Sequence, residues 1–221
     1  MYKTENMLDL KHTIAKDYLI NYEYPWEAIP EINNIILEIA KKLNKEEFIQ
    51  IKENVWVHKD VIIDDNVKII GPAIVGKNSQ IRHCAYIREN VIIGENCTIG
   101  NSCEIKNSII FDDSQIPHFN YVGDSILGYK SHMGAGAIIS NLKSDKTNIT
   151  IKNKNIQIET NLRKFGAIIC DNVEVGCNSV LNPGTIVGKN SNIYPLSRVR
   201  GIVPENSIYK DEDNIVEKRN D

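Results

Sequence analysis

The chain has 221 residues, enough for one ordinary domain with an appendage or for two very small domains. Hydrophobic residues make up 42% and charged residues 25%, with a formal net charge of -3, which excludes both a disordered chain and a polycation built to wrap nucleic acid. No run approaches the roughly 18 apolar residues of a membrane span, and the opening M-Y-K-T-E-N-M-L-D-L lacks the apolar core of a signal peptide. The expectation is a cytoplasmic protein with neither a membrane nor a nucleic-acid partner. Its five cysteines, without C-x-x-C spacing, fit free thiols in a reducing compartment better than a disulfide framework or a structural zinc site.

Residues 1–51 contain no glycine and carry Y-P-W-E-A-I-P-E-I followed by helical spacing at Ile32, Ile35, Ile36 and Ile39. This predicts one or two helices forming a small N-terminal helical cap, seated on the start of the next region through Trp26 or Trp56. From Val57 the sequence falls into sixes: Val57, Ile63, Ile69, Val75, Ile81, Ile87, Ile93, Ile99 and Ile105. At the overall hydrophobic fraction, nine consecutive hits have a chance probability of about four in ten thousand. Four residues after each comes a mostly small companion, among them Ala73, Ser79, Ala85, Cys97 and Cys103. The register slips by one at Ile110 and again at Leu127, then returns after an interruption as Ile169, Val175, Leu181, Val187, Ile193 and Val199.

A period of six suits short strands joined by turns at fixed intervals, which is a parallel β-helix whose coils must stack to bury their aliphatic column. The expected division is a cap at 1–51, a β-helix of about seven coils at 52–208 and a polar C-terminal tail at 209–221. The excursion at 140–166 breaks the sixes and is basic, read either as a loop in contact with phosphate or as a solvated loop without a partner.

Arg88 and Lys106 each follow an aliphatic position and are separated by one presumed coil, so they stack about 4.8 Å apart. Two cations that close repel by about 1 kcal/mol in water and about 3 at an effective dielectric of 20, so a phosphate between them is welcome, unless both splay into solvent. His118 stands beside the first slip, three residues before Tyr121, and has the chemistry of a general base; the alternative is a structural, hydrogen-bonded histidine. His12, His58, His83, His118 and His132 include no H-x-x-x-x-H pair, so a γ-type carbonic anhydrase site is disfavoured and no metal is expected. Cys97 and Cys103 read as filler in small-residue places.

The sixes resemble the hexapeptide-repeat acyltransferases. That resemblance implies a mainly β fold, a left-handed parallel β-helix assembled as a homotrimer with active sites between subunits. The strings I-P-H-F-N-Y-V-G-D-S-I-L-G (Ile116 to Gly128) and G-A-G-A-I-I-S-N (Gly134 to Asn141) narrow the likeness to the acetyltransferase domain of bifunctional UDP-N-acetylglucosamine pyrophosphorylase/glucosamine-1-phosphate N-acetyltransferases. L-R-K-F-G-A-I-I-C-D-N-V-E-V-G and L-N-P-G-T-I-V-G resemble related sugar-1-phosphate nucleotidylyltransferases, and the whole resemblance covers about Val55 to Ile208.

The resemblance implies an acetyl-CoA-dependent N-acetyltransferase acting on an amino sugar phosphate such as glucosamine 1-phosphate. His118 matches the catalytic histidine. Tyr121 and Asn141 match substrate contacts, Arg88 and Lys106 match the groups that hold the sugar phosphate, and Lys146 sits close to a family lysine. Ala135 and Cys177 fall where the family lines the acetyl-CoA site, and a backbone N–H of the Gly134 to Gly136 turn is the expected oxyanion donor. His132 replaces an asparagine on the substrate amine and is a rival base, while Leu142 replaces a tyrosine. The first glycine is Gly71, so nucleotidyl transfer, which needs a glycine-rich phosphate loop, is not expected of this sequence. A catalytically silent sugar-phosphate or nucleotide-sugar binding scaffold is the alternative from another class.

Overall fold

The computed structural model describes residues 2–152 and 157–219. Each coil of the stack carries three short strands, one on each of three faces. The first coil consists of Val55–His58, Ile62–Ile63 and Lys68–Ile69, and the second of Ala73–Val75, Gln80–Ile81 and Tyr86–Ile87. Pairing between coils is parallel throughout, with Val57 on Val75, Ile63 on Ile81 and Ile69 on Ile87. The stack continues to Thr185–Val187, Asn192–Ile193 and Arg198–Val199, followed by a partial turn of Ile202–Val203 and Ser207–Asp211. The molecule is a parallel β-helix. Inward residues of successive coils form the core, with Val75, Ile81, Ile87, Ile93, Ile99 and Ile105 all fully buried.

Corners one residue shorter than the others produce the slips at Ile110 and Leu127. Glu104–Ile110 is one strand bent around a corner, pairing with Tyr86–Ile87 before it and with Val91–Ile93 after it. Tyr121–Leu127 repeats this one coil later. The bends sit at Asn107 (φ 46°) and Asp124 (φ 49°), residue types that tolerate the left-handed region. At the next coil the same corner opens instead into the excursion. There Thr150–Lys152 pairs antiparallel with Gln157–Glu159, and Leu142 bridges to Lys164 at the base.

The N-terminal segment lies along the side of the stack instead of seating on its first coil. The first face also turns isoleucines outward, Ile74, Ile92, Ile109, Ile126, Ile168 and Ile186, every one at most 1% exposed. Burial of each stabilises by about 1.5–3 kcal/mol, and the N-terminal segment supplies most of the cover. The Asp9 N–H donates to Asp171 Oδ2 at 2.8 Å on a late coil, and His12 stacks on Tyr129 with ring centroids 3.6 Å apart. Trp26 packs against Phe165 of the excursion, Asn107 Nδ2 donates to the Ile29 carbonyl, and helix Ile32–Ala40 lies against early coils. Ile32, Ile35, Ile36 and Ile39 are all buried, as their spacing predicted. Trp56 is only half-buried, and Ile63 of the first coil is 37% exposed. Phe48–Lys52 forms a strand antiparallel to Val55–His58, and the polar C-terminal residues include a further strand, Asn214–Glu217, paired with Ser207–Asp211.

Candidate active site

One corner of the β-helix stacks Arg88, Lys106 and Gly123 on successive coils, the Arg88 N–H donating to the Ile105 carbonyl and Lys106 pairing with Gly123. The two cations do not face each other unpaired. Arg88 Nη1 meets Glu104 Oε1 at 3.0 Å and its Nε lies 3.7 Å from Glu89, while Lys106 Nζ lies 3.6 Å from Asp124 Oδ1. The repulsion expected to draw in an anion is therefore already offset by three carboxylates. What remains is donor capacity, since a guanidinium has five N–H groups and an ammonium three. The hydrogen bond from Arg88 to Glu104 holds the Arg88 pKa above its ordinary value despite some desolvation.

Tyr121 begins the next strand on this face, stacked on Glu104. Burial raises its phenol pKa, and the Asp124 and Glu104 charges push the same way, so the hydroxyl stays protonated. It bends back over Gly123, where an added Cβ would lie 2.6 Å from the Tyr121 hydroxyl oxygen and 2.8 Å from Asn141 Nδ2. Only glycine leaves room for this arrangement. Asn141 Nδ2 donates to Asp124 and, at 3.3 Å, to the Tyr121 hydroxyl.

His118 ends the second-face strand Gln115–His118, at the corner that leads into Tyr121. It is exposed, and its ring makes no hydrogen bond or ion pair among the described residues. Buried Asn120 fixes the turn. Its Oδ1 accepts from the His118 N–H at 3.1 Å, and its Nδ2 donates to the carbonyls of Gly134 and Ala137 at 2.7 and 3.1 Å. This side chain laces His118 to the glycine turn one coil on. Strand register places Ala135 over His118 and Cys177 over Ala135 in one column, with Ala135 half-buried between two exposed side chains. Of the turn amides, Gly134 N–H is spent on Val175 and Gly136 N–H on His118, so among the described residues only Ala135 keeps a free N–H there.

His132 lies on that second face too, stacked on Gln115 and so three residues from the His118 column, with Nδ1 2.6 Å from Glu174 Oε2. Lys146 lies exposed in the excursion with φ 58°, and among the described residues no hydrogen bond or ion pair joins it to Arg88 or Lys106. Sequence reasoning did not single out Glu104, Asn120, Asp124 or Glu174. A signal for Asp124 was present, because Asn90, Asn107, Asp124 and Asn141 recur at seventeen-residue intervals along the tightened corner. The cysteines of the core are inert fillers: burial pushes the Cys97 thiol up to about 12 and raises Cys103 and Cys170 as well.

A family model described as the GMPPB C-terminal domain matches residues 69–169. The bifunctional protein GlmU of Methanococcus vannielii is 38% identical over 203 residues, covering 89% of this chain and 48% of that protein. The chain is a relative of the bifunctional GlmU proteins. A bifunctional sugar-1-phosphate nucleotidylyltransferase/acetyltransferase of Sulfurisphaera tokodaii is 34% identical over 225 residues, covering 92% of this chain and 54% of that protein. The chain thus spans about half the length of the curated GlmU-type relatives it matches. Among solved structures, an N-acyltransferase from Bacillus cereus, AntD, in complex with dTDP and coenzyme A, aligns over 83% of this chain and 89% of that one at 16% identity, with a TM-score of 0.40. No helix of the described residues is long and apolar enough to cross a membrane.

Proposed function

We propose that the chain is an acetyl-CoA-dependent N-acetyltransferase acting on an amino sugar phosphate, with glucosamine 1-phosphate as the first acceptor to test. The observation that carries this reading is the pairing, on adjacent coils, of His118 and the Ala135 N–H, an imidazole and a turn amide that are both unengaged among the described residues. An ammonium cannot attack a carbonyl, so the acceptor nitrogen must lose a proton, and an imidazole acting as general base takes it with a contribution of about 10² to 10⁴ in rate. The nitrogen then bonds to the thioester carbon and the oxyanion is held by the Ala135 N–H. The C–S bond breaks, and the CoA thiolate leaves and takes up a proton.

Tyr121, Asn141, Lys106 and Arg88 line the third face, across the corner from His118, and suit the sugar and its phosphate, while the column through Ala135 and Cys177 suits the pantetheine arm. His132 and Lys146 would join them only if a second copy brought its second face and its excursion alongside, which is the role of a homotrimer in this reading. The relative named as a bifunctional sugar-1-phosphate nucleotidylyltransferase/acetyltransferase supports the acceptor class. The test is thiol release from acetyl-CoA against a panel of amino sugar phosphates, repeated with His118→Ala. Absence of turnover across the panel, or an unimpaired His118→Ala, overturns the proposal.

A further inference from the structure

The acceptor side of this site contains one buried charge that the proposed reaction does not use, Asp124, only 3% exposed. A carboxylate offers lone pairs alone, so every neighbour has to present a donor. Asn107 does so with Nδ2 at 2.8 Å, Asn141 with Nδ2, and Lys106 with Nζ at 3.6 Å. This dictates which way round the Asn141 amide stands. With its NH₂ group turned to Asp124 and to the Tyr121 hydroxyl, the carbonyl end points away from the ladder, and no donor among the described residues reaches it.

We infer that Asp124 is a positioning residue for acceptor recognition: it locks Asn141 so that the site offers a hydrogen-bond acceptor to an N–H or O–H of the amino sugar, and it steadies Lys106 beside it. The inference rests on the acetyltransferase reading above and deepens it. Replacing Asp124 by asparagine keeps the shape and puts an NH₂ where one carboxylate oxygen was. One neighbouring amide must then turn. Asn107 is held from two sides, because its Nδ2 also donates to the Ile29 carbonyl at 3.3 Å, an acceptor only. Asn141 has the freer partner, since the Tyr121 hydroxyl donates as readily as it accepts. Asn141 is therefore the residue that turns and presents its NH₂ to the acceptor.

The experiment measures KM for glucosamine 1-phosphate and for acetyl-CoA in the wild type, in Asp124→Asn and in the swapped pair Asp124→Asn/Asn141→Asp, with melting temperature followed for each. The expected result for Asp124→Asn is a rise of about tenfold in acceptor KM, the fold-change of one lost hydrogen bond, with the acetyl-CoA KM within about twofold. The swapped pair again offers an acceptor oxygen to the site and keeps one carboxylate in the ladder, and is expected to recover most of the acceptor affinity. Hydrogen exchange of the Asn141 side-chain NH₂, slow in the wild type and faster in Asp124→Asn, reads the locked amide without turnover. An active wild type with unchanged acceptor KM and unchanged exchange in Asp124→Asn overturns the inference alone. Equal rises in both KM values, or no recovery in the swapped pair, mark a merely structural role and also overturn it. A wild type inactive on the panel removes the parent reading, and unchanged exchange then removes the locked amide too.

Discussion

His132 and Glu174 meet at 2.6 Å on adjacent coils, with the whole excursion intervening between them in the sequence. The carboxylate fixes the ring by Nδ1, whereas no hydrogen bond or ion pair among the described residues holds the His118 ring. This contrast separates the two histidines in the reaction. His118→Ala is expected to lower kcat by about 10² or more, and His132→Ala or Glu174→Gln to act mainly on acceptor KM. Steady-state kinetics at saturating acetyl-CoA decide it; a dead His132→Ala with an active His118→Ala reverses the roles.

The two cations of the corner differ in burial, and their removal should differ in cost. Lys106 is 15% exposed and its partner Asp124 4%, so Lys106→Ala strands a buried carboxylate and is expected to destabilise the fold by about 3 kcal/mol or more. Arg88 and Glu104 are about one-third exposed, and Arg88→Ala should cost at most about 1 kcal/mol. Urea unfolding measures both. In kinetics each variant is expected to raise the KM of a phosphorylated acceptor far more than that of acetyl-CoA.

Gly123→Ala tests the packing of the site without altering its charge. The new methyl would meet the Tyr121 hydroxyl and the Asn141 amide inside contact distance, so one of them must move. A stability loss of about 1–3 kcal/mol with weakened acceptor binding is the expected outcome. An unchanged acceptor KM would remove Tyr121 and Asn141 from acceptor recognition.

Asp112 gives the fold a pH dependence of its own. Burial lifts its carboxyl to about 6, with the Glu95 and Asp113 charges adding to the effect and the Glu95 N–H and His12 opposing it. Between about pH 4 and 6 the folded protein keeps a proton that the unfolded chain has released, so this group's contribution to stability falls as pH rises through that window. Asp112→Asn should raise the melting temperature at pH 7 by a few degrees, about 1 kcal/mol after allowing for partial exposure, with the gap closing at pH 4. Equal gaps at the two pH values would refute it.

The core was legible because one coil is built from local periods: an inward aliphatic every six residues, such as Ile81, Ile87 and Ile93, needs only the strand and turn in which it lies. The slips were legible too, as missing residues, although only the bent strands Glu104–Ile110 and Tyr121–Leu127 explain them. His118, Tyr121 and Asn141 could be picked out by their motif, but the partners that govern them could not. Asp124 reaches Lys106 and Asn141, and Asn120 reaches the Gly134 turn, only because coils stack, and contact between coils depends on how many residues each corner consumes. The outward column from Ile74 to Ile186 is also written in the sequence, beside every first-face inward residue. Local alternation tells that such a side chain points outward; it does not tell what covers it. That was decided by the N-terminal segment, which lies along the first face because the apolar stripe there extends over many coils, while the end of the stack offers only one.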